Sequence, residues 1–338
     1  FIKPNIHRPE DILDKLADPN IKTAYFLPGT HYIDQVCFEL PSNKTIYIPH
    51  GAVLTASLIV KNVENVKIMG HGILYLQNFV HHTVFRGIRI MYSKNIEIEG
   101  ITVINPPHYT VYIGQSENIH IKNLKTFSNF SWCDGIDMMS SSNVTIEDCF
   151  LRTSDDCIAI YGQRWRYSGD TRNVTVRNCV LFCDVGHPIM IGVHGSHMKD
   201  GDILEDLHFS NIDILTHRER LDNYQGCLAI NAGDKNIVRN VSFCDIRVEQ
   251  IELGRLIDIR VLRNPDFNPV PGRRIENILL KNITYNGTGE NPSRITGYDA
   301  ERLAENITIE NLVINGKHIT SASDYFEINS FTKNLIFK

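Results

Sequence analysis

The chain has 338 residues, 42% of them hydrophobic, with 34 lysines and arginines against 39 aspartates and glutamates for a net charge of −5. It has no basic run, which speaks against a nucleic-acid partner, and its apolar stretches are only strand-length, so no membrane span is expected. Length alone would allow two domains.

The one good helix signal is at the start, Arg8 to Ala17 (RPEDILDKLA), where Pro9 and acidic residues open a stripe of Ile12, Leu13 and Leu16. Such a helix would plug the end of a strand-built body and hide its edges. Strand-like text follows over residues 23–60 (TAYFLPGTHYI, LPSNKTIYIPHGAVL). No signal peptide is visible, and a chain opening on Phe1 reads as a trimmed or mature form, expected to be secreted or periplasmic.

From residue 65 the chain copies itself. Segments beginning at Asn65, Asn95, Asn118, Asn143, Asn173, Asn240, Asn277 and Asn306, with a weaker copy at Asp206, start 23 to 37 residues apart. Most read Asn–apolar–polar–apolar–polar–Asn/Gly/Asp–apolar–polar–apolar. Strict alternation is a strand signal, because successive side chains point to opposite faces. One copy cannot bury its apolar face alone, but stacked copies can. The expected fold is therefore all-β: a single-stranded right-handed parallel β-helix, one domain over 1–338, with a capping helix at 8–17 and coils over 22–338. The position six after each leading Asn holds Ile101, Leu124, Cys149, Cys179, Ile212, Ile246, Ile283 and Leu312, an interior column. The leading Asn suits a corner, since it tolerates the left-handed backbone region and can pair amide to amide along the coil. The Asn-x-Thr matches at Asn143, Asn173, Asn282 and Asn306 come from this pattern and say little about glycosylation.

The eight cysteines include no CxxC pair. They read as mostly free, buried thiols, with one disulfide between adjacent rungs as the alternative. His194 and His197, near Asp200 and Asp202, fit a polar loop better than a metal site. Neither a metal nor a cofactor is expected.

Chemistry concentrates between residues 129 and 197. WCDGIDMMSSS carries Asp134 and Asp137, LRTSDDCIAIYG carries Asp155 and Asp156, and GHPIMIGVHGSH carries His187. Asp134 and Asp155 lie 21 residues apart, one short turn of the coil, and are expected to stack, with Asp137 pointing the other way. Crowded carboxylates cannot all ionise easily, so at least one holds a proton to higher pH. Glycoside hydrolysis needs that pairing of acid and carboxylate. His187 is placed to orient a carboxylate or meet a sugar hydroxyl.

With its flanking text, NPPHYTVYIGQSENIHIKNL and VGHPIMIG, the cluster resembles the polygalacturonase family, glycoside hydrolase family 28. Its members are right-handed parallel β-helices that cleave glycosidic bonds with inversion. The family's NTD, DD, GHG and RIK motifs fall on Trp132-Cys133-Asp134, Asp155-Asp156, Gly186-His187-Pro188 and Leu228-Ala229-Ile230-Asn231, within a resemblance covering residues 22 to 260. It implies Asp155 as general acid, Asp134 and Asp156 as water-activating carboxylates, and His187 as their support. The cations of RIK are replaced by Ala229 and Asn231, which implies a sugar without a carboxylate at that subsite. Arg255 or Arg260 on the next rung, and Arg164 or Arg166 after the Asp pair, are the other anion contacts to consider. The opening coils are also similar to the dextranase and isopullulanase family 49, which acts on neutral glucans.

Aromatic faces that could stack on pyranose rings are Tyr109, Tyr112, Trp132, Tyr161, Trp165 and Tyr167. Trp165 lies in the insertion GQRWRYSGD, and a second insertion, THRERLDNYQG, is placed to close one end of a cleft and favour chain-end attack. Candidate substrate contacts are thus Tyr109, Trp132, Tyr161, Arg164, Trp165, Asn231 and Arg260. The expected partner is a polysaccharide or oligosaccharide, met by a monomer. Competing readings are a dextranase-like glucan hydrolase, a polysaccharide lyase, and a non-catalytic carbohydrate-binding β-helix. A lyase needs a basic Arg or Lys, and none is expected on the carboxylate rungs.

Overall fold

The computed structural model describes residues 1–338 apart from Val84 and Lys199, with backbone alone for residues 34–36. Among the described residues, 30 strands join in one sheet that coils on itself, each strand pairing with its counterpart one turn on. The pairings are parallel except where Ala304–Ile314 meets Lys317–Ile319. This is a right-handed parallel β-helix, the hand favoured for parallel crossovers. Helix α1 (Pro9–Ala17) stands at its start, and its buried Ile12 and Leu16 join the same core as Ala24 and Phe26.

The corners explain the repeat. Every leading Asn sits in the left-handed region, from Asn65 (φ 57°) to Asn306 (φ 56°), as does Asp206. Five residues on, a second corner does the same with Asn123, Asp148, Asn178, Asn211, Asp245, Asn282 and Asn311, and with Gly70 and Gly100 in the early coils. Only Gly, Asn and Asp enter this region at low cost, which is why the motif allows only those residues there. The side-chain amides then form ladders. Asn95 Nδ2 donates to Asn65 Oδ1 at 3.0 Å, Asn118 to Asn95 at 3.1 Å and Asn143 to Asn118 at 3.0 Å.

Inside the coil the expected column is buried, from Ile101 and Leu124 to Ile283 and Leu312. Cys149 and Cys179 take their places in it, and all eight cysteines are free thiols. Truncating a side chain here leaves a cavity that rigid neighbouring rungs cannot fill. Ile212→Ala is expected to lower unfolding free energy by about 2–5 kcal/mol, measured by denaturant titration.

One sheet face positions the site. Its strands are β1 (Val111–Gly114), β2 (Ile136–Met139), β3 (Ile158–Tyr161), β4 (Ile189–Gly192), β5 (Leu228–Ala232) and β6 (Ile257–Val261). Ile136, Ile158, Ile189, Leu228 and Ile257 stack inward in register. Outward residues of β1 to β5 are buried too, because long loops cover this face. Strands covered on both sides read as nearly continuous apolar runs, as IAIY and IMIG do.

Candidate active site

The turn entering each strand of this face carries the chemistry. Gly135 N–H donates to Asp156 O and Cys157 N–H to His187 O, each at 2.8 Å. Asp134, Asp156 and His187 therefore form one column, each two residues before its strand. The expected stacking of Asp134 on Asp155 is corrected: Ile136 pairs with Ile158, so the step is 22 residues and Asp156 is the partner in register. Asp155 reaches the group from one residue upstream. Oxygens of Asp134, Asp155 and Asp156 all lie within 4.8 Å of one another. Two glycines let the turns approach so closely. A Cβ on Gly135 would lie 2.3 Å from Cys157 O, and one on Gly186, at φ +92°, would lie 2.9 Å from Asp156 N.

Asp137 also departs from expectation. It does not point away from Asp134 but is fully buried on the same outer face, since the turn at Gly135 separates the two and alternation does not count across it. Among the described residues its oxygens accept no hydrogen bond, and Arg164 Nη1 lies 3.8 Å from Oδ2. Burial pushes both carboxyls well above the usual range, reinforced by Asp155 and Asp156 and, for Asp134, by Asp137, and opposed by Arg164. Burial, then the charge of Asp156, raises Asp155 to about 7.

Asp156 has a dedicated partner. Its Oδ1 accepts hydrogen bonds from the His187 backbone N–H and from Nδ1, both at 2.7 Å. The other ring nitrogen, Nε2, meets the carbonyl of Tyr224. A carboxylate and a carbonyl both accept, so this geometry suits a ring protonated on both nitrogens. Burial works against that charge, but Asp156 overcomes it and the imidazole is raised above its ordinary value.

Tyr224 comes from the insertion Thr216 to Gly226, which is pinned from below. Arg260 Nη2 donates to Asn223 O at 2.8 Å and Arg294 Nη2 to Asp222 O at 2.6 Å. Both guanidinium groups are anchored on buried Asp258, with Nε to carboxylate distances of 3.0 Å. Arg255 Nη2 donates to Asp222 Oδ1 at 3.2 Å.

These groups open on a cleft of about 970 Å³. Of the residues expected there, Tyr109, Trp132, Asp134, Asp155, Asp156, Tyr161, Arg164 and Trp165 line it. His187 lies directly beneath, behind Asp156. Asn231 and Arg260 are not brought to the cleft. Asn231 is fully buried, with Nδ2 donating to Asp258 Oδ2 at 3.3 Å, and Arg260 is committed to the loop clamp. Trp132 and Trp165 are exposed at 55% and 52%, both with positive φ, unusual for bulky side chains. Trp165 lies over Tyr109 with ring centroids 6.0 Å apart.

Several cleft residues escaped the sequence reading as sugar-site candidates. His194 lines the wall, as do Arg218, Glu219, Arg220 and Tyr224 from the second insertion. His108, beside Tyr109, is pushed down to about 3 by burial and by Arg86 and Arg164, and presents a neutral ring. Glu219 adds another carboxylate, raised mainly by burial, and Asp184 and Glu252 also line the cleft. The available signal was the charge density of THRERLDNYQG, an insertion that breaks the rung pattern as GQRWRYSGD does.

Among the described residues, the Asp trio is the one group of His, Cys, Asp or Glu side chains spaced to hold a metal ion. Its oxygens would suit a hard cation. No helix among the described residues is long and apolar enough to cross a membrane.

The family model "Glycosyl hydrolases family 28" matches residues 51–334. An Arabidopsis thaliana protein named exopolygalacturonase clone GBGE184 is 26% identical over 192 residues, 56% of this chain and 42% of that protein. Across eight curated relatives compared, the chain spans 20% to 60% of their length. The family 28 exopolygalacturonase structure from Yersinia enterocolitica superposes with a TM-score of 0.74 at 15% identity, over 98% of this chain and 78% of that one. Dex49A from Penicillium minioluteum does so with a TM-score of 0.65 at 15% identity, over 99% of this chain and 63% of that one. At such identities the structural likenesses speak for the fold, whereas the family match runs from the first full coils, through every rung of the acidic column, almost to the C-terminal residue. On that match, the chain belongs to glycosyl hydrolases family 28.

Proposed function

We propose that this chain is an inverting glycoside hydrolase acting on a polysaccharide or oligosaccharide. Asp155 donates the proton to the leaving oxygen, Asp134 and Asp156 activate water, and His187 holds Asp156 in place. The observation that carries the reading is the convergence of three carboxyl groups in an aromatic-walled cleft, one poised to hold a proton to about pH 7 and another bonded to a buried histidine. A general acid works best with its pKa near the working pH. Ala229 and Asn231 offer no cation where the family has two, which supports a sugar without a carboxylate there and keeps neutral glucans in consideration. The clamped loop at one side of the cleft favours attack from a chain end. A polymeric substrate cannot cross a membrane, so the protein acts outside the cytoplasm, as a monomer.

Family membership supports inversion. The test is reducing-end release on a panel of uronans and neutral glucans, with the first anomer followed by NMR. The inverted anomer is expected; the retained one would refute inversion, and no release on any glycan would refute hydrolysis and favour a binding module.

A lyase reading has one observation in its favour. No arginine was expected on the carboxylate rungs, yet Arg164 folds back beside Asp137, next to a trio able to hold a cation. Elimination would leave an unsaturated, ultraviolet-absorbing product and would stop on chelation. Hydrolysis is expected to show neither.

A further inference from the structure

The sheets of the coil that do not carry the site differ in chemistry. The one that begins at each leading Asn is solvated by ion pairs between rungs, Glu147 with Arg177 and Glu205 with Arg239 among them. The other carries rings. Its strands Ile73–Tyr75, Thr102–Ile104, Lys125–Phe127 and Phe150–Thr153 pair in turn, and the last pairs with the end of Thr171–Cys183. Leu74, Val103, Thr126, Leu151 and Leu181 are buried, so their neighbours point outward. Tyr75, Ile104, Phe127, Arg152 and Phe182 then form one outward column, with no shift of register along it. Phe127 is 42% exposed, and Tyr75, Ile104 and Phe182 are half-buried. Phe150 stands beside Phe127, with ring centroids 5.4 Å apart. A continuous apolar strip on a solvated sheet marks a binding surface.

The spacing of the rings points to the occupant. Aromatics recur at every second rung, and with rungs about 4.8 Å apart Tyr75 and Phe127 stand about 10 Å from each other, with Phe182 as far again. A pyranose has an apolar C–H face that rests on such rings. In an extended, equatorially linked glycan each sugar advances the chain by about one rung. Successive sugars are turned over, so every second one offers the same face. The strip's cations are already committed: Lys125 Nζ donates to Gly100 O at 3.4 Å, and Arg152 lies 4.6 Å over the Phe182 ring while Nε donates to Asp184 at 3.1 Å. That favours an uncharged chain. The strip also runs up to the site, since Asp184 and Val185, which follow it in the chain, line the cleft.

We propose that this strip is a second, non-catalytic glycan site, on which a neutral, extended, equatorially linked polysaccharide lies along the coil axis, stacked on Tyr75, Phe127 and Phe182. This rests on reading the protein as one that meets polysaccharides, and is independent of whether it hydrolyses them. The strip would hold the enzyme on a solid glycan surface while the cleft works on a chain beside it.

The test is depletion of the full chain from solution by insoluble particles of cellulose, mannan and chitin, with granular starch, whose axial linkage coils the chain, as the contrast. Wild type is expected to adsorb to at least one of the first three about 10-fold or more strongly than to starch. Tyr75→Ser with Phe127→Ser should abolish that preference. Phe127→Trp keeps an aromatic face at the central position and should retain it, as should Trp165→Ala, which strips a ring from the cleft. Circular dichroism checks that each variant keeps its strand content, and the Trp variant keeps the proposal testable if the serine pair does not fold. No wild-type preference for any of the three solids, a preference that survives the serine pair in folded protein, or one lost in Phe127→Trp or in Trp165→Ala would each overturn the proposal. A concentration-dependent dimer in sedimentation, abolished by the serine pair, would also overturn it and assign the strip to a second copy of the chain. Failure to release reducing ends would count against hydrolysis and leave the adsorption readable.

Discussion

Asp155→Asn is expected to lower kcat by about 10²–10⁴-fold with little change in KM, the range for losing a general acid. Asn keeps the shape of Asp155, including the oxygen that accepts the Asp156 N–H at 3.0 Å, so the turn should persist. Only the transferable proton is lost. The pH profile should carry the same signature. Wild-type kcat should fall as pH rises through about 7, where burial and Asp156 hold the Asp155 proton. A substrate with a good leaving group, needing no proton, should be cleaved by the variant at near wild-type rate. An Asp155→Asn enzyme of full activity on natural glycans would remove Asp155 as the acid.

His187→Ala should damage both rate and stability. It deletes the ring that donates to Asp156 and meets the Tyr224 carbonyl. Breaking one side of a buried ion pair costs about 3–5 kcal/mol. Because the imidazole is raised above its ordinary value in the fold, its stabilisation is fully present below pH 6.5 and is lost as pH rises through the raised value. Urea titrations at pH 5.5 and at pH 9 should therefore show a larger gap between wild type and variant at the lower pH. The buried carboxyls act in the same direction. Asp134, Asp137 and Asp155 bind protons more tightly folded than unfolded, so their contribution also declines as pH rises above the ordinary carboxylate range. The rate should fall with stability, by roughly 10²-fold, since Asp156 then lacks the group that fixes it. An equal stability loss at both pH values would mean the ring fills space without carrying charge.

The local rules of the coil were legible in the sequence because they act within a few residues. Alternation defines which side chain enters the core, and left-handed corners admit few residues besides Asn, Asp and Gly. Hence the fold class, the interior column with its two cysteines, the capping helix and the candidate carboxylates could all be read from the text. Register and cover could not. Whether Asp155 or Asp156 stands over Asp134 depends on a single residue in a corner, and such a slip changes the stacking partner. The face taken by Asp137 depends on the turn at Gly135, which interrupts the alternation. The partners of the reactive groups come from far along the chain: Tyr224 reaches His187 only because Asp258, Arg260 and Arg294 pin its loop. Arg164 likewise meets Asp137, 27 residues earlier, through a reversal at a left-handed Trp165. Sequence by itself determined the coil and its acidic groups, because backbone sterics and side-chain alternation are local. Only the tertiary structure decided which acid faces which base and which cation folds back over them, because those energies arise between loops folded onto the same sheet.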